Sequence, residues 1–513
     1  MIPHDFIRSI KIPKNIQKAF FYTLILGLFT HFFILTNKLI NHDDLEQLVS
    51  KMDYSSSGRW FLQYANLPSS YFSMPWVNGI LILIYSSIIT SIIVYVLNIK
   101  SKLNIMLISA IMIMFPSNAA LFSYTNSYDA YLFGAVLAFI GLYLFVKYKY
   151  GFIVTIILTV LSLATYQTFI SLCLLVLISY YFMKLINEKI NSRIYIKNIL
   201  KVFLTYISSI IFYIISCKFL INVELSSYQN IDKMGNLNIF SLPELIFRTY
   251  YKFYAFLIND DYFQFGFTKY LNIILLFGIF YLLYILVSKL ELNEKVVAIL
   301  TILILPIIIN LIFIMAPNSA IGLRMLQGYI GMYVFFITIL EYFVLNKFKF
   351  KNFRLIAVSM WYIILPIIFS LYNFFIVTNK VYTTLEIDTI NVISYTTRVI
   401  NNIENQEFYE KHKPVYFIGN PDTTTSFTEK YTTREVLKST ILDKKLPAHY
   451  FWKLYPERYS AFPNKIENIW KVNYDKIEDN LLIEKINSAP IYPKKGSIFE
   501  YNNSIFIKFK NYQ

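Results

Sequence analysis

The residues best able to do chemistry sit in short polar stretches between long apolar runs. The first stretch is Asn41-His42-Asp43-Asp44-Leu45-Glu46, followed fifteen residues after Asp44 by Arg59 in Ser57-Gly58-Arg59-Trp60. Three carboxylates this close repel one another, and partial desolvation at a membrane surface raises their pKa values further. A carboxylate so placed suits removing a proton from a hydroxyl or holding a divalent cation. Arg59 offers a planar, permanently charged fork suited to phosphate. The same residues also read as a solvated acidic loop in which Arg59 pairs with an acid.

The second stretch runs from Pro116-Ser117-Asn118 to Tyr128-Asp129, with Asp129 its one charge beside Tyr124, Tyr128 and Tyr131. Its alternative reading is an aromatic belt with Asp129 as the N-cap of the next helix. The third, Thr165-Tyr166-Gln167-Thr168, is a polar break that also reads as a tight turn. The last, Pro317-Asn318-Ser319 through Arg324, ends just before Gln327 and Gly328. An arginine there can bind an anion or merely snorkel. His31 falls inside an apolar run and reads as a satisfied core histidine. No phosphate-cradling Gly-rich loop, paired-His zinc motif or Gly-x-Ser-x-Gly elbow occurs, which leaves no sign of ATP or a soluble nucleotide sugar. No cofactor is expected. A divalent cation is chemically admissible at the acidic loop but not indicated.

The elements that must position these residues are transmembrane helices. The 513-residue chain is 56% hydrophobic, 18% aromatic and only 15% charged, far below the ~25% charged of soluble proteins. Its mean hydropathy is +0.50. A soluble enzyme, a disordered chain and a disulfide scaffold are excluded; Cys173 and Cys217 lie in apolar runs. A crossing needs about 20 apolar residues. Such runs predict eleven spans near 19–40, 79–98, 104–122, 130–146, 152–164, 168–183, 199–221, 270–288, 296–315, 329–346 and 355–378. The basic leader before the first run has no cleavage site behind it, so this run reads as an anchor.

The net charge of +16 follows topology and does not point to nucleic acid. Loops on one predicted face hold nineteen Lys/Arg against four acids, and those on the other hold seven against ten. Cytoplasmic loops collect Lys and Arg, so the N-terminus is expected inside and the C-terminus outside. Basic flanks on both sides of 150–183 require a hairpin there, with Thr165-Tyr166-Gln167 outside. All four polar stretches then face the outer compartment. The span interiors hold almost no ionisable residue, Lys218 and Glu341 lying toward span ends, which counts against a proton-coupled transporter.

From residue 379 the texture changes. Segment 381–409 has amphipathic helical spacing, Pro414 to Asn420 reads as a buried strand ending in a turn, and Ile505 to Phe509 as a last strand. The expected architecture is mainly α: a multispan domain over 1–378, then a small extracytoplasmic α/β domain over 379–513.

In these residues the sequence resembles the bacterial family II glucosyltransferases, multispan enzymes that add glucosyl groups to O-antigen and related surface glycans. The shared marks, in order, are Asp43-Asp44 after the first span, Gly58-Arg59-Trp60, Tyr128-Asp129 before the fourth span, the Tyr166-Gln167 break, and Arg324 in a late outward loop. They cover roughly residues 20–350. The family's second acidic position commonly has Arg close behind it, where this chain has Leu45-Glu46.

The resemblance implies a GT-C type fold in the bacterial cell membrane with its active site facing outward. It implies a polyprenyl-phosphate sugar donor, made inside by a separate synthase and flipped by a small carrier, and a surface glycan acceptor. Asp44 or Asp43 would accept the acceptor's proton, and Arg59 and Arg324 would stabilise the departing lipid phosphate. Tyr128 and Asp129 would orient sugar hydroxyls, with Tyr166 and Gln167 lining the same cavity. A lipid-linked polysaccharide polymerase or ligase would share this outward pocket. A lipid-linked glycan flippase or exporter would need no catalytic carboxylate, and a scaffold would need no common pocket.

Overall fold

The computed structural model describes residues 2, 5, 11–39, 54–221, 239–258, 267–317, 319, 321–349, 353–419, 460–469 and 471–511. They fall into two compact units, divided between Lys380 and Val381, with Leu39 counted in the second. The acidic stretch around Asp43 and Asp44 lies outside the described residues.

The first unit is a bundle of apolar helices. Among the described residues nine are long and apolar enough to cross a membrane, a bent pair makes a tenth, and a thirteen-residue apolar helix accompanies them. They are α1 (Lys14–Thr36), α2 (Pro75–Val96), the bent pair α3 (Lys102–Met114) and α4 (Pro116–Phe122), α5 (Tyr128–Lys147) and α6 (Gly151–Leu163). Then come α7 (Ile170–Asn187), α8 (Ser192–Leu220), α9 (Leu242–Ile258), α10 (Thr268–Ser288), α11 (Leu292–Ile309), α12 (Gly328–Leu345) and α13 (Phe353–Glu404). The molecule is thus a multispan helical membrane protein. All eleven expected spans coincide with helices.

Three expectations need correction. The second polar stretch is not a loop from 116 onward: Pro116, which suits a first helical position, opens α4, whose seven residues are all buried and whose axis bends 42° from α3. The outward loop expected between spans 199–221 and 270–288 contains the helix α9, amphipathic and therefore invisible to a search for continuous apolar runs. Asp129 is not an N-cap; Ser127 holds that position and Asp129 lies in the first turn of α5. The helix at the fifth expected span, α6, has thirteen residues, so it is ~20 Å long, short of a ~30 Å hydrocarbon core.

Helix α1 packs on α2 and α3, α2 on α5, and α5 on α6, while α7 and α12 pair as the most buried helices. One buried acid holds this frame together: Glu341 on α12 accepts from the backbone N–H groups of Lys100 (2.7 Å) and Ser101 (3.0 Å) and from Asn104 Nδ2 (2.7 Å). It satisfies donors that the start of α3 would otherwise leave open. His31 is buried, its Nε2 2.9 Å from the Ile113 carbonyl.

The second unit holds the C-terminal part of α13 and a four-stranded sheet of order β2-β1-β4-β3. Its strands are β1 (Val415–Ile418), β2 (Ile466–Ile469), β3 (Ile498–Tyr501) and β4 (Ser504–Lys508). Strand β1 is parallel to both β2 and β4, and β3 and β4 form an antiparallel hairpin. Asn502 and Asn503 at the hairpin tip both have positive φ (45° and 56°), as a two-residue turn matched to strand twist requires. One sheet face packs Val415, Ile505 and Ile507 against Val399 and Ile403 of α13. The other packs Ile418, Phe499 and Phe506 against Ile486 of α14 (Asn480–Ser488).

Candidate active site

Arg59 is set by the loop that precedes α2. Gly58 has φ +74°, a conformation costing an L-residue roughly 1–2 kcal/mol. A Cβ there would lie 2.5 Å from the Tyr213 hydroxyl, so glycine is demanded by backbone and by space. That hydroxyl, on α8, donates to the Gly58 carbonyl (3.0 Å) and accepts from Gln167 Nε2 (2.9 Å). Trp60 Nε1 donates to Ser216 Oγ one turn further along α8 (3.1 Å), and Phe61 N–H donates to the Ala164 carbonyl (3.0 Å). The Gly58-Arg59-Trp60 segment is therefore pinned on both sides of its arginine.

The guanidinium so placed meets aromatic rings. Its Cζ lies 5.0 Å from the Tyr166 ring centre and 5.9 Å from that of Tyr131, and Nη1 donates to Tyr131 Oη at 3.4 Å. The two tyrosines stack on each other at 4.5 Å. Arg324 approaches from the loop before α12: its Cζ is 4.9 Å from the Tyr124 ring centre and its Nη1 donates to Tyr124 Oη at 2.8 Å. Burial works against both charges. The phenolic oxygens of Tyr131 and Tyr166 around Arg59, and of Tyr124, Tyr166 and Tyr131 around Arg324, outweigh it and hold both above the ordinary arginine value. Burial likewise pushes the Tyr166 hydroxyl up, against the pull of Arg324 and Arg59. Each arginine lowers the other's tendency to be charged, yet among the described residues neither has a carboxylate within salt-bridge distance. Two cations that share a tyrosine cluster with no counter-charge among the described residues are chemically suited to an anion.

Asp129 belongs to a second polar patch beside the first. Its Oδ1 accepts from Asn78 Nδ2 (3.3 Å), which also donates to the Thr125 carbonyl (3.1 Å). Thr125 Oγ1 meets Ser73 Oγ at 3.0 Å, and Lys38 Nζ donates to Ser73 Oγ (2.7 Å) and to its carbonyl (2.6 Å). Asp129 and Tyr131, two residues apart, point to opposite sides of α5 because each residue turns the helix by about 100°. The first turn of α5 thus carries a carboxylate toward α2 and a phenol toward Arg59.

Two buried polar atoms here have no hydrogen-bond partner among the described residues: Arg59 Nε and Asn78 Oδ1. Each costs on the order of 1–3 kcal/mol if left so. A ligand rich in hydroxyl and phosphate oxygens could satisfy both.

Of the residues singled out in the sequence, the structure gathers Arg59, Tyr166 and Arg324 into one cluster, with Asp129 nearby. Tyr128 serves packing: its hydroxyl donates to the Pro75 carbonyl at the start of α2 (3.0 Å). Gln167 acts on Tyr213 and not on open space. Asp43 and Asp44 lie outside the described residues. The residues that sequence reasoning missed are Tyr213, Asn78 and Lys38. Tyr213 is one tyrosine among 43 in the chain, and no local pattern distinguishes it. Among the described residues no group of three His, Cys, Asp or Glu side chains could hold a metal ion.

The family model Glucosyl transferase GtrII matches residues 32–335. That segment covers more than half of the chain and contains Arg59, Asn78, Asp129, Tyr166, Tyr213 and Arg324. No curated protein and no solved structure matches the chain. With its polar cluster inside the matched segment, the chain belongs to the GtrII glucosyl transferase family.

Proposed function

We propose that this glucosyltransferase moves a glucosyl group from a polyprenyl-phosphate donor to a surface polysaccharide, at the outer face of the bacterial cell membrane. The observation that carries the reading is the pair Arg59 and Arg324, gathered around Tyr124, Tyr131 and Tyr166 with no carboxylate on either among the described residues. A fixed cationic pair in a desolvated aromatic setting stabilises charge that develops on a leaving phosphate, at no reorganisation cost during the reaction. The prenyl tail of such a donor has apolar helices to lie against. Among the described residues neither arginine is engaged by an acid that the phosphate would have to displace.

In the reaction an acceptor hydroxyl oxygen bonds to the anomeric carbon as the bond from that carbon to the phosphate oxygen breaks. The electron pair leaves on the phosphate, held by Arg59 and Arg324. The hydroxyl proton passes to Asp44 or Asp43. Asp129, fixed by Asn78, orients sugar hydroxyls, and Tyr166 lines the same site. The excess of Lys and Arg on the opposite loops supports an inside N-terminus, an outside C-terminal unit and an outward-facing site in a GT-C type arrangement. The donor requires a separate synthase and a small carrier that flips it, and the C-terminal unit presents the glycan.

Mass analysis of the surface glycan with and without this protein tests the reading. Loss of a hexose branch with the polymer intact is the expected result; loss of the whole polymer would overturn side-chain transfer. In the same assay Asp44→Asn should abolish transfer at unchanged protein level.

A further inference from the structure

A groove of about 880 Å³ lies between α6 and the first half of α8, away from the arginine cluster. Its walls are apolar, with Phe152 and Ile156 on one side and Ile196, Leu200 and Leu204 on the other, and one end carries Arg193, Lys197 and Lys201. The shortness of α6 explains the gap: thirteen residues give ~20 Å of wall, against ~43 Å for the twenty-nine residues of α8.

The charges at that end are badly placed for the protein alone. Arg193, Lys197 and Lys201 are four residues apart, so they share one helix face, where like charges at this spacing repel. They also occupy the first turns of α8, whose N-terminus already carries the positive end of the helix dipole. Lys201 is partly accommodated, its Nζ 5.1 Å from the Phe145 ring centre and 4.9 Å from that of Phe152, within 3.4 Å of the Lys149 carbonyl. Among the described residues neither the Arg193 guanidinium nor the Lys197 ammonium has a hydrogen bond or ion pair. Glu294, the acid at this helix start, accepts from the Ser192 N–H at its Oε1 (2.9 Å). Placement of cations at this membrane face follows from topology alone. An apolar groove leading away from them does not.

We propose that this groove is a binding site for one anionic phospholipid of the bilayer, its phosphate held by Arg193 and Lys197 and one acyl chain lying along Leu200 and Leu204. The fifteen residues from Arg193 to Ser208 rise ~22 Å, enough to accommodate a chain crossing one leaflet of a ~30 Å core. The lipid supplies the missing counter-charge and fills the space that α6 leaves. The site is separate from the arginine cluster and stands whether or not the transfer chemistry is as proposed.

The test is native mass spectrometry of the full chain in detergent, titrated with phosphatidylglycerol or with phosphatidylcholine of the same acyl chains. One phosphatidylglycerol should remain bound at collision energies that strip phosphatidylcholine. The double variant Arg193→Ala/Lys197→Ala should lower retained phosphatidylglycerol about tenfold or more, from roughly 1 kcal/mol per basic residue at an anionic lipid surface. Leu204→Trp, which fills the groove and keeps the charges, should lower retention of the same lipid. Lys189→Ala/Lys102→Ala, on the same basic face but outside the groove, should not. Equal retention of both lipids would overturn the proposal. So would an unchanged preference in the Arg193/Lys197 variant, or an equal loss in the Lys189/Lys102 control.

Discussion

The Tyr213 hydroxyl on α8 donates to the carbonyl of Gly58 at 3.0 Å and stands where a Cβ on residue 58 would fall. The residue before the cationic Arg59 is thus held by a side chain more than 150 positions away in sequence. The orientation of Arg59 depends on that support.

Gly58→Ala should cut transfer at least about tenfold, since it combines left-handed strain of roughly 1–2 kcal/mol with a steric clash. Tyr213→Phe alone should cost less, about the ~1 kcal/mol of one hydrogen bond. In the double variant the clash is gone, so Tyr213→Phe should recover part of the activity lost in Gly58→Ala. Initial rates of the four proteins, compared as a double-mutant cycle, check this; strict additivity would contradict the contact.

Arg59→Lys should be far from conservative. Lysine keeps the charge but loses the planar fork that lies against Tyr131 and Tyr166, and stacked arginine sites do not accept it. A fall in kcat of about tenfold or more, with unchanged expression, is expected from an enzyme assay of the variant. Tyr166→Phe keeps the ring and should lose less.

Glu341 tests the frame rather than the chemistry. Glu341→Ala leaves the Lys100 and Ser101 N–H groups and the Asn104 amide without their acceptor, which should destabilise the bundle by roughly 2–4 kcal/mol. Glu341→Gln keeps a carbonyl acceptor and should cost less. Thermal unfolding in detergent gives the order, and turnover per folded molecule should stay near that of the parent.

In the second unit, Asp479 caps α14. The Tyr501 hydroxyl bonded to it at 2.7 Å, then the Leu482 and Leu481 N–H groups, hold its carboxyl below the ordinary value of 3.8. A carboxyl lowered on folding stabilises the folded state above its unfolded pKa, and that contribution is lost as pH falls through the folded one. Hydrogen exchange at the Leu481 and Leu482 amides should therefore be slow near neutral pH and lose this protection below about pH 4. Asp479→Asn should remove most of the pH dependence.

Much of this was legible in the chain. Continuous apolar runs mark every long helix, because a crossing leaves no other composition open, and charge at both ends of 150–183 located the break at Tyr166. Amphipathic α9 escaped, since Glu244, Arg248 and Lys252 interrupt its apolar residues. Arg59, Tyr166 and Arg324 stood out as polar residues at span ends. What sequence could not supply was which polar groups face one another: Gln167 meets Tyr213, Tyr128 meets a backbone carbonyl, and Asp129 faces Asn78 while Tyr131, two residues on, faces the arginine.

The account rests on Arg59 and Arg324 acting together on a lipid phosphate. The direct measurement is transfer of labelled glucose from polyprenyl-phosphate glucose to surface glycan by the purified protein and its Arg59→Ala and Arg324→Ala variants. Each variant should lose on the order of 10²-fold in kcat, as removal of one transition-state donor does. Parent-like turnover in both would contradict the account.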